Sequence, residues 1–262
     1  MGSEYVPGEG RDVIRVVTYN LRGGGLDGDG VETGTGAIDI SRWEQQIKLL
    51  LKPAVLCLQE GKYYDRNDFE MARRTGQALG MEWYLAPSDS HGSHLVTLVN
   101  PRRVEVRRFV PDAAEGKFHH TLVRADLVDQ ATGWNFTVLN THLAPLSPAN
   151  RAREVTWLTE YGARDDVILV GDLNSEAPGD PAVTSWSWLP EELHSRHRFQ
   201  NPDAPTQDRT GAPCPLCSTR VSAALSHTLV SRRPGPSGTG PPVSGATSGP
   251  TTCCPRGAWR RS

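Results

Sequence analysis

The sequence predicts a layered α/β protein, with two mixed β-sheets packed face to face and helices outside them, a four-layer sandwich. Three observations carry this expectation. Strand-like apolar runs stand near the start (residues 12–21, DVIRVVTYNL), at residues 54–58 and late in the chain at residues 167–170, the last mostly β-branched. Helical patterns lie between these runs. Residues 82–140 hold five further strand-like runs separated by turn signals, the spacing of antiparallel neighbours.

Taken in order, residues 1–11 read as a frayed terminus, followed by a first strand ending at Tyr19-Asn20. Residues 22–36 form a Gly- and Asp-rich loop, in which Asp27-Gly-Asp29-Gly lacks the remaining ligands of a calcium loop. Ser41-Arg-Trp-Glu44 has the form of a capping box, Trp43, Ile47 and Leu50 mark one helical face, and Pro53 stops the helix. Residues 54–58 form a buried strand with Gln59-Glu60 at its end. Residues 65–80 form a helix with Phe69, Ala72, Gly76 and Leu79 on one face. Strand-like runs follow at 82–85, 94–99, 103–110, 118–129 and 134–140. Ser147 and Pro148 open a third helix as N-cap and first residue, with Ala152, Val155 and Leu158 inward and Gly162 ending it. The strand of residues 167–170 then runs into Gly171-Asp172-Leu173-Asn174-Ser175.

Composition narrows the function classes. Residues 1–208 hold 21 basic and all 30 acidic residues, whereas residues 209–262 hold seven Arg and no acid. An acidic body does not grip long nucleic acid through bulk charge, although a bound divalent cation would neutralise a carboxylate-rich cleft locally. No stretch approaches the length of a membrane span and Met1-Gly2-Ser3-Glu4-Tyr5 lacks the regions of a signal peptide, so a cytoplasmic protein is expected. Five cysteines, an odd number, argue against a disulfide framework. Cys57 reads as a core thiol. Cys214-Pro-Leu-Cys217 has half the spacing of a zinc site, but the adjacent Cys253-Cys254 would complete it awkwardly.

The candidate site comes from strand ends. Asn20 ends the first strand, Glu60 the second, His142 follows the strand before the third helix, and Asp172 and Asn174 end the late strand. Each alone has an ordinary reading: a solvated Glu, a structural His, an Asx turn at Asp172. Together they bring an anion, a carboxamide and an imidazole to one rim, a set suited to handling water, metal or phosphate.

Here the sequence resembles the endonuclease/exonuclease/phosphatase superfamily, the fold shared by pancreatic deoxyribonuclease, apurinic endonucleases, neutral sphingomyelinases and inositol-polyphosphate phosphatases. The matching words are Thr18-Tyr19-Asn20-Leu21, Leu58-Gln59-Glu60, Asn140-Thr141-His142-Leu143 and Gly171-Asp172-Leu173-Asn174-Ser175, in order over residues 12–175. The resemblance implies a deoxyribonuclease-like sandwich and a metal-dependent phosphoester hydrolase. It implies that Glu60 ligates Mg2+ (Mn2+ as an alternative) with Asn20 beside it, and that Asp172 orients or deprotonates the attacking water. It further implies that Asn174 holds a non-bridging phosphate oxygen and that His142 donates to the phosphoryl group. Lys62, two residues beyond Glu60, resembles the pattern of apurinic endonucleases, but a lysine after a strand is common on surfaces and does not choose the substrate.

The resemblance fails at the end of the chain. An Arg-Ile-Asp-Tyr-like strand and a closing Ser-Asp-His triplet are implied, yet Ser226 stands where an acid belongs. No Asp or Glu follows Asp208, and no His follows His227. The final strand is therefore expected to be missing. The domain is expected to span residues 12–230, with residues 231–262 a disordered Arg/Pro/Gly/Ser-rich tail. Such text is also what GC-rich codons encode when read out of frame. The expected protein is a monomer acting on a phosphoester, either nucleic acid or a small phosphorylated molecule. The alternative is a non-catalytic member that binds a phosphorylated ligand or a protein partner.

Overall fold

The computed structural model of the chain describes residues 13–28, 39–50, 53–175, 187, 189–196 and 227–232. The N-terminal segment, most of the tail and the four cysteines other than Cys57 lie outside the described residues. Strands β1 (Val13–Asn20), β2 (Val55–Lys62), β3 (Glu82–Ala86), β4 (Ser93–Val99) and β9 (His227–Arg232) build one sheet in the order β3-β4-β2-β1-β9. Strands β5 (Val104–Val110), β6 (Leu122–Asp129), β7 (Asn135–His142) and β8 (Val167–Asp172) build the other in chain order. β1 runs parallel to β2, and β7 parallel to β8, while the remaining pairs are antiparallel. The fold is the α/β sandwich of two mixed sheets that the sequence predicts.

Alternation along the strands makes the layers. Ile14, Val16, Val55, Cys57 and Val99 of the first sheet meet Ala125, Leu127, Phe136, Val138, Ile168 and Val170 of the second. Cys57 is fully buried there, and burial raises its thiol pKa, as befits an inert core thiol. The opposite face of the first sheet, with Val17, Leu56 and Leu58, packs under helices α1 (Ser41–Leu49) and α2 (Arg66–Leu79) through Trp43, Ile47, Ala72 and Leu79. Helix α3 (Pro148–Thr156) covers the second sheet, where Val155, Leu158 and Tyr161 meet Leu122, Leu139 and Leu143.

Local chemistry explains where elements begin. Ser147 Oγ accepts from Asn150 N–H, and Pro148 opens α3, as expected. The capping box at Ser41 does not form: Ser41 lies inside the helix, and its N–H donates to Asp39 Oδ1 at 2.8 Å. Helix α2 opens with Asn67, Asp68 and Phe69 in left-handed backbone, which swings Phe69 off the expected inward face to 38% exposure against Trp83.

The expected loss of the final strand is also overturned. The final strand is present: β9 pairs antiparallel with β1 from Thr18↔His227 to Val13↔Arg232. Apolar Leu229 and Val230 sit at the centre of that register, so the run supports a ladder despite its missing acid. The strand also extends to Arg232, two residues into the stretch expected to be tail.

Candidate active site

The topology brings four of the sequence words to one end of the sandwich. Parallel pairing sets Asn20 opposite Gln59 and His142 opposite Asp172. The sheets are joined beneath the rim by buried polar groups. Gln59 Nε2 donates to Asn140 Oδ1 across the sheet interface at 2.8 Å, with Thr18 and Thr97 completing the chain.

Above this link, Asn20 Nδ2 donates both to Glu60 Oε1 at 2.9 Å and to Asp172 Oδ2 at 2.8 Å. One amide nitrogen thus bridges a carboxylate from each sheet. Asn20 Oδ1 accepts from Arg22 N–H, so its oxygen is turned toward the following loop. The second oxygen of Glu60 accepts from Gly23 N–H at 2.8 Å. That loop is held by Arg42, whose guanidinium donates to the carbonyls of Leu21, Arg22 and Leu26 and pairs with Asp27. At Gly24 (φ 75°) a Cβ would stand 2.5 Å from the Lys62 carbonyl, so close approach of loop and strand requires glycine.

Asp172 divides its oxygens. Oδ1 closes an Asx turn with Asn174 N–H at 2.9 Å, and Oδ2 faces Asn20, with His142 Nε2 3.8 Å away. The ordinary reading of this stretch, an Asx turn, therefore holds, and it leaves Oδ2 turned toward Asn20. Asn174, in left-handed backbone (φ 48°), donates from Nδ2 to Leu143 O at 2.8 Å. Gly171 has φ 146°, and a Cβ there would run into the Thr141 carbonyl of the adjacent strand.

Asn20, Glu60, His142 and Asp172 are joined by these contacts, and Asn174 adjoins through Asp172. A surface cavity of about 590 Å³ lies elsewhere, lined by residues such as Gly76, Met81 and Trp83, and includes none of the five. Sequence reasoning missed the residues around His142. His120 stacks on it, Ser88 Oγ lies 3.1 Å from His120 Nδ1, and Glu154 accepts from the N–H groups of His119 and Ala144. Burial raises the Glu154 pKa and lowers that of His120 to about 3, the latter with help from His142, His119 and His91. The adjacent His119-His120 pair was the available signal, but it fits no ligand spacing.

Comparison with known proteins places the geometry in context. No curated protein matches the chain. Among solved structures it is similar to an endonuclease/exonuclease/phosphatase family protein from Bacteroides thetaiotaomicron, at 16% identity and TM-score 0.45, covering 63% of each chain. It is similar to a mannosyl-6-phosphatase of the same organism at 17% identity and TM-score 0.44, covering 62% of this chain and 66% of that one. It is also similar to D. rerio TDP2 complexed with single strand DNA product, at 16% identity and TM-score 0.45, covering 62% of this chain and 61% of that one. The chain thus spans less than two thirds of the length of these proteins. The family model described as Endonuclease/Exonuclease/phosphatase family matches residues 17–246, most of the sequence and all four words. The chain belongs to the endonuclease/exonuclease/phosphatase family.

Proposed function

We propose that the chain is a metal-dependent phosphoester hydrolase that attacks phosphorus in line with an activated water. The carrying observation is the bridge from Asn20 to Glu60 and Asp172, with His142 beside the same Asp172 oxygen. Two carboxylates share one neutral donor, and among the described residues neither forms a salt bridge with Lys or Arg. Such a pair suits a hard cation. No group of three His, Cys, Asp or Glu is preassembled for a metal among the described residues. Mg2+ needs fewer, since one or two carboxylates together with substrate phosphate suffice.

Glu60 is the residue that would hold the ion, and Asn20 orients Glu60 against Asp172. When bound, Mg2+ or Mn2+ neutralises charge building on the phosphoryl oxygens. Asp172, with Oδ1 committed to its turn, uses Oδ2 to orient and deprotonate the attacking water. His142 donates to a phosphoryl oxygen as charge develops, and Asn174 uses its remaining N–H on a non-bridging oxygen. Nucleic acid and small phosphorylated molecules are both candidate substrates, chosen by the segments 22–36 and 86–94. We place the protein in the cytoplasm as a monomer; among the described residues no helix is long and apolar enough to cross a membrane.

Assays on supercoiled plasmid, abasic-site DNA, sphingomyelin and inositol phosphates, with and without Mg2+, test the proposal. Metal-dependent hydrolysis of one class, lost in Asp172→Ala, is expected. The second reading, a non-catalytic binder, is favoured by the absence of any Asp or Glu after Asp208. It would show as binding of a phosphorylated ligand with no turnover by any panel member.

A further inference from the structure

Among the described residues no hydrogen bond fixes the His142 ring: Nδ1 is buried without a partner, and Nε2 lies 3.8 Å from Asp172 Oδ2, beyond hydrogen-bond reach. The residue is nonetheless 5% exposed, so its orientation comes from packing. Its face meets the ring of His120, with centroids 4.3 Å apart and planes 16° from parallel.

His120 is itself held. Its Nδ1 lies 3.1 Å from Ser88 Oγ, and His119 closes on its edge at 4.8 Å with the rings 82° apart. His119 is tied through Nε2 to Ser90 Oγ at 2.7 Å and through its N–H to Glu154. The loop carrying Ser88 and Ser90 is anchored in turn by His94. Ser88 N–H donates to His94 Nδ1 at 3.0 Å, which makes that nitrogen an acceptor and puts the ring proton on Nε2, 3.1 Å from Asp65 Oδ1. A relay of packed side chains thus runs from Asp65 at the surface to the face of His142.

We propose that His120 is the positioning residue of His142: a flat ring, pinned by the loop between β3 and β4, that sets the direction in which His142 presents Nε2. This rests on the reading of His142 as the donor to the phosphoryl group. Burial keeps His120 neutral, so the ring supplies a face and no charge.

The full-length chain tests this with two variants and two readouts. His120→Ala removes the face and is expected to lower kcat by about 10²-fold with KM within about twofold, because the misplaced group acts in the transition state. His120→Phe keeps a flat ring and is expected to recover most of that loss. The second readout needs no activity: the His142 ring signals in proton NMR, assigned by their disappearance in His142→Gln. They should lie upfield in the native chain and in His120→Phe, and move downfield in His120→Ala. Melting curves confirm that each variant is folded. If His120→Ala leaves kcat and the ring signals unmoved, His142 is placed by something else and the proposal falls. If His120→Phe is as slow as His120→Ala while the ring signals keep their place, a nitrogen of His120 takes part directly, and the proposal also falls. If the native chain hydrolyses nothing, the hydrolase reading fails, and the ring signals alone decide the positioning role.

Discussion

Asn20 donates to Asp172 at 2.8 Å across 152 positions of sequence, joining the first strand of one sheet to the last strand of the other. Since the same nitrogen reaches Glu60, its loss leaves two carboxylates without their common donor. Asn20→Ala should cost about 1–3 kcal/mol in urea unfolding and about 10²-fold in turnover. Full turnover in this variant would remove Asn20 from the machinery.

Metal linkage isolates Glu60. A cation that binds only the folded state raises the melting temperature, by about 2.7 kcal/mol of stability at a hundred times its dissociation constant. Mg2+ titrated against thermal melting should give a saturable rise in the native chain and none in Glu60→Ala. A mutant that responds like the native chain would show that the ion sits elsewhere.

Gly171 tests the backbone beneath Asp172. At φ 146° any side chain is strained, and here a Cβ would also meet backbone, which cannot swing aside as a side chain can. Gly171→Ala should destabilise by roughly 2–4 kcal/mol, combining a disfavoured conformation with overpacking. Denaturant midpoints decide it, and a loss below about 0.5 kcal/mol would contradict the described approach of β7 and β8.

The strand words were legible because each joins an apolar run to a polar end, so Asn20, Glu60, His142, Asp172 and Asn174 could be named as candidates before any coordinates. The layered fold followed from the same runs. What could not be read was anything set by contacts distant in sequence. His120 and Ser88 meet across 32 positions, and Glu154 reaches back 35 positions to the His119 N–H, with no local pattern announcing either. Phe69 was misplaced because its left-handed turn breaks the 3.6-residue period that put it inward. The last strand was discounted because it lacks an acid, although a ladder needs only backbone and apolar side chains.

Acid sensitivity follows from His120. Its pKa falls from 6.5 to about 3 on folding, chiefly through burial and then through His142, His119 and His91. Between those values the unfolded chain binds the extra proton, so stability from this group is full above pH 6.5 and is lost as pH falls toward 3. His120→Phe should show a shallower loss of melting temperature over that window. An identical slope would mean that other groups carry the acid response.

The start of β9 offers a gain-of-function test. The register sets His227 opposite Thr18, two positions along β1 from Asn20 and at the same end of the sheet. Ser226→Asp writes an Asp-His pair into the sequence at His227. Turnover on a panel substrate should rise by about 10-fold or more, the scale of an added acid–base or electrostatic partner, and should still depend on Asp172. No gain would mean that the strand, though present, does not serve the site.

The bond from Gln59 to Asn140 beneath the rim has a consequence for how the molecule comes into being. On the proposed reading Asn20 and Glu60 stand on one sheet and His142 and Asp172 on the other, so neither sheet alone would turn over substrate. The contacts that complete the rim are also among the most distant in the chain, and distant contacts close late. During refolding, recovery of activity should therefore trail recovery of the far-ultraviolet circular dichroism signal. A chain arrested with its sheets formed but undocked would look folded to the spectrometer while remaining silent to any assay.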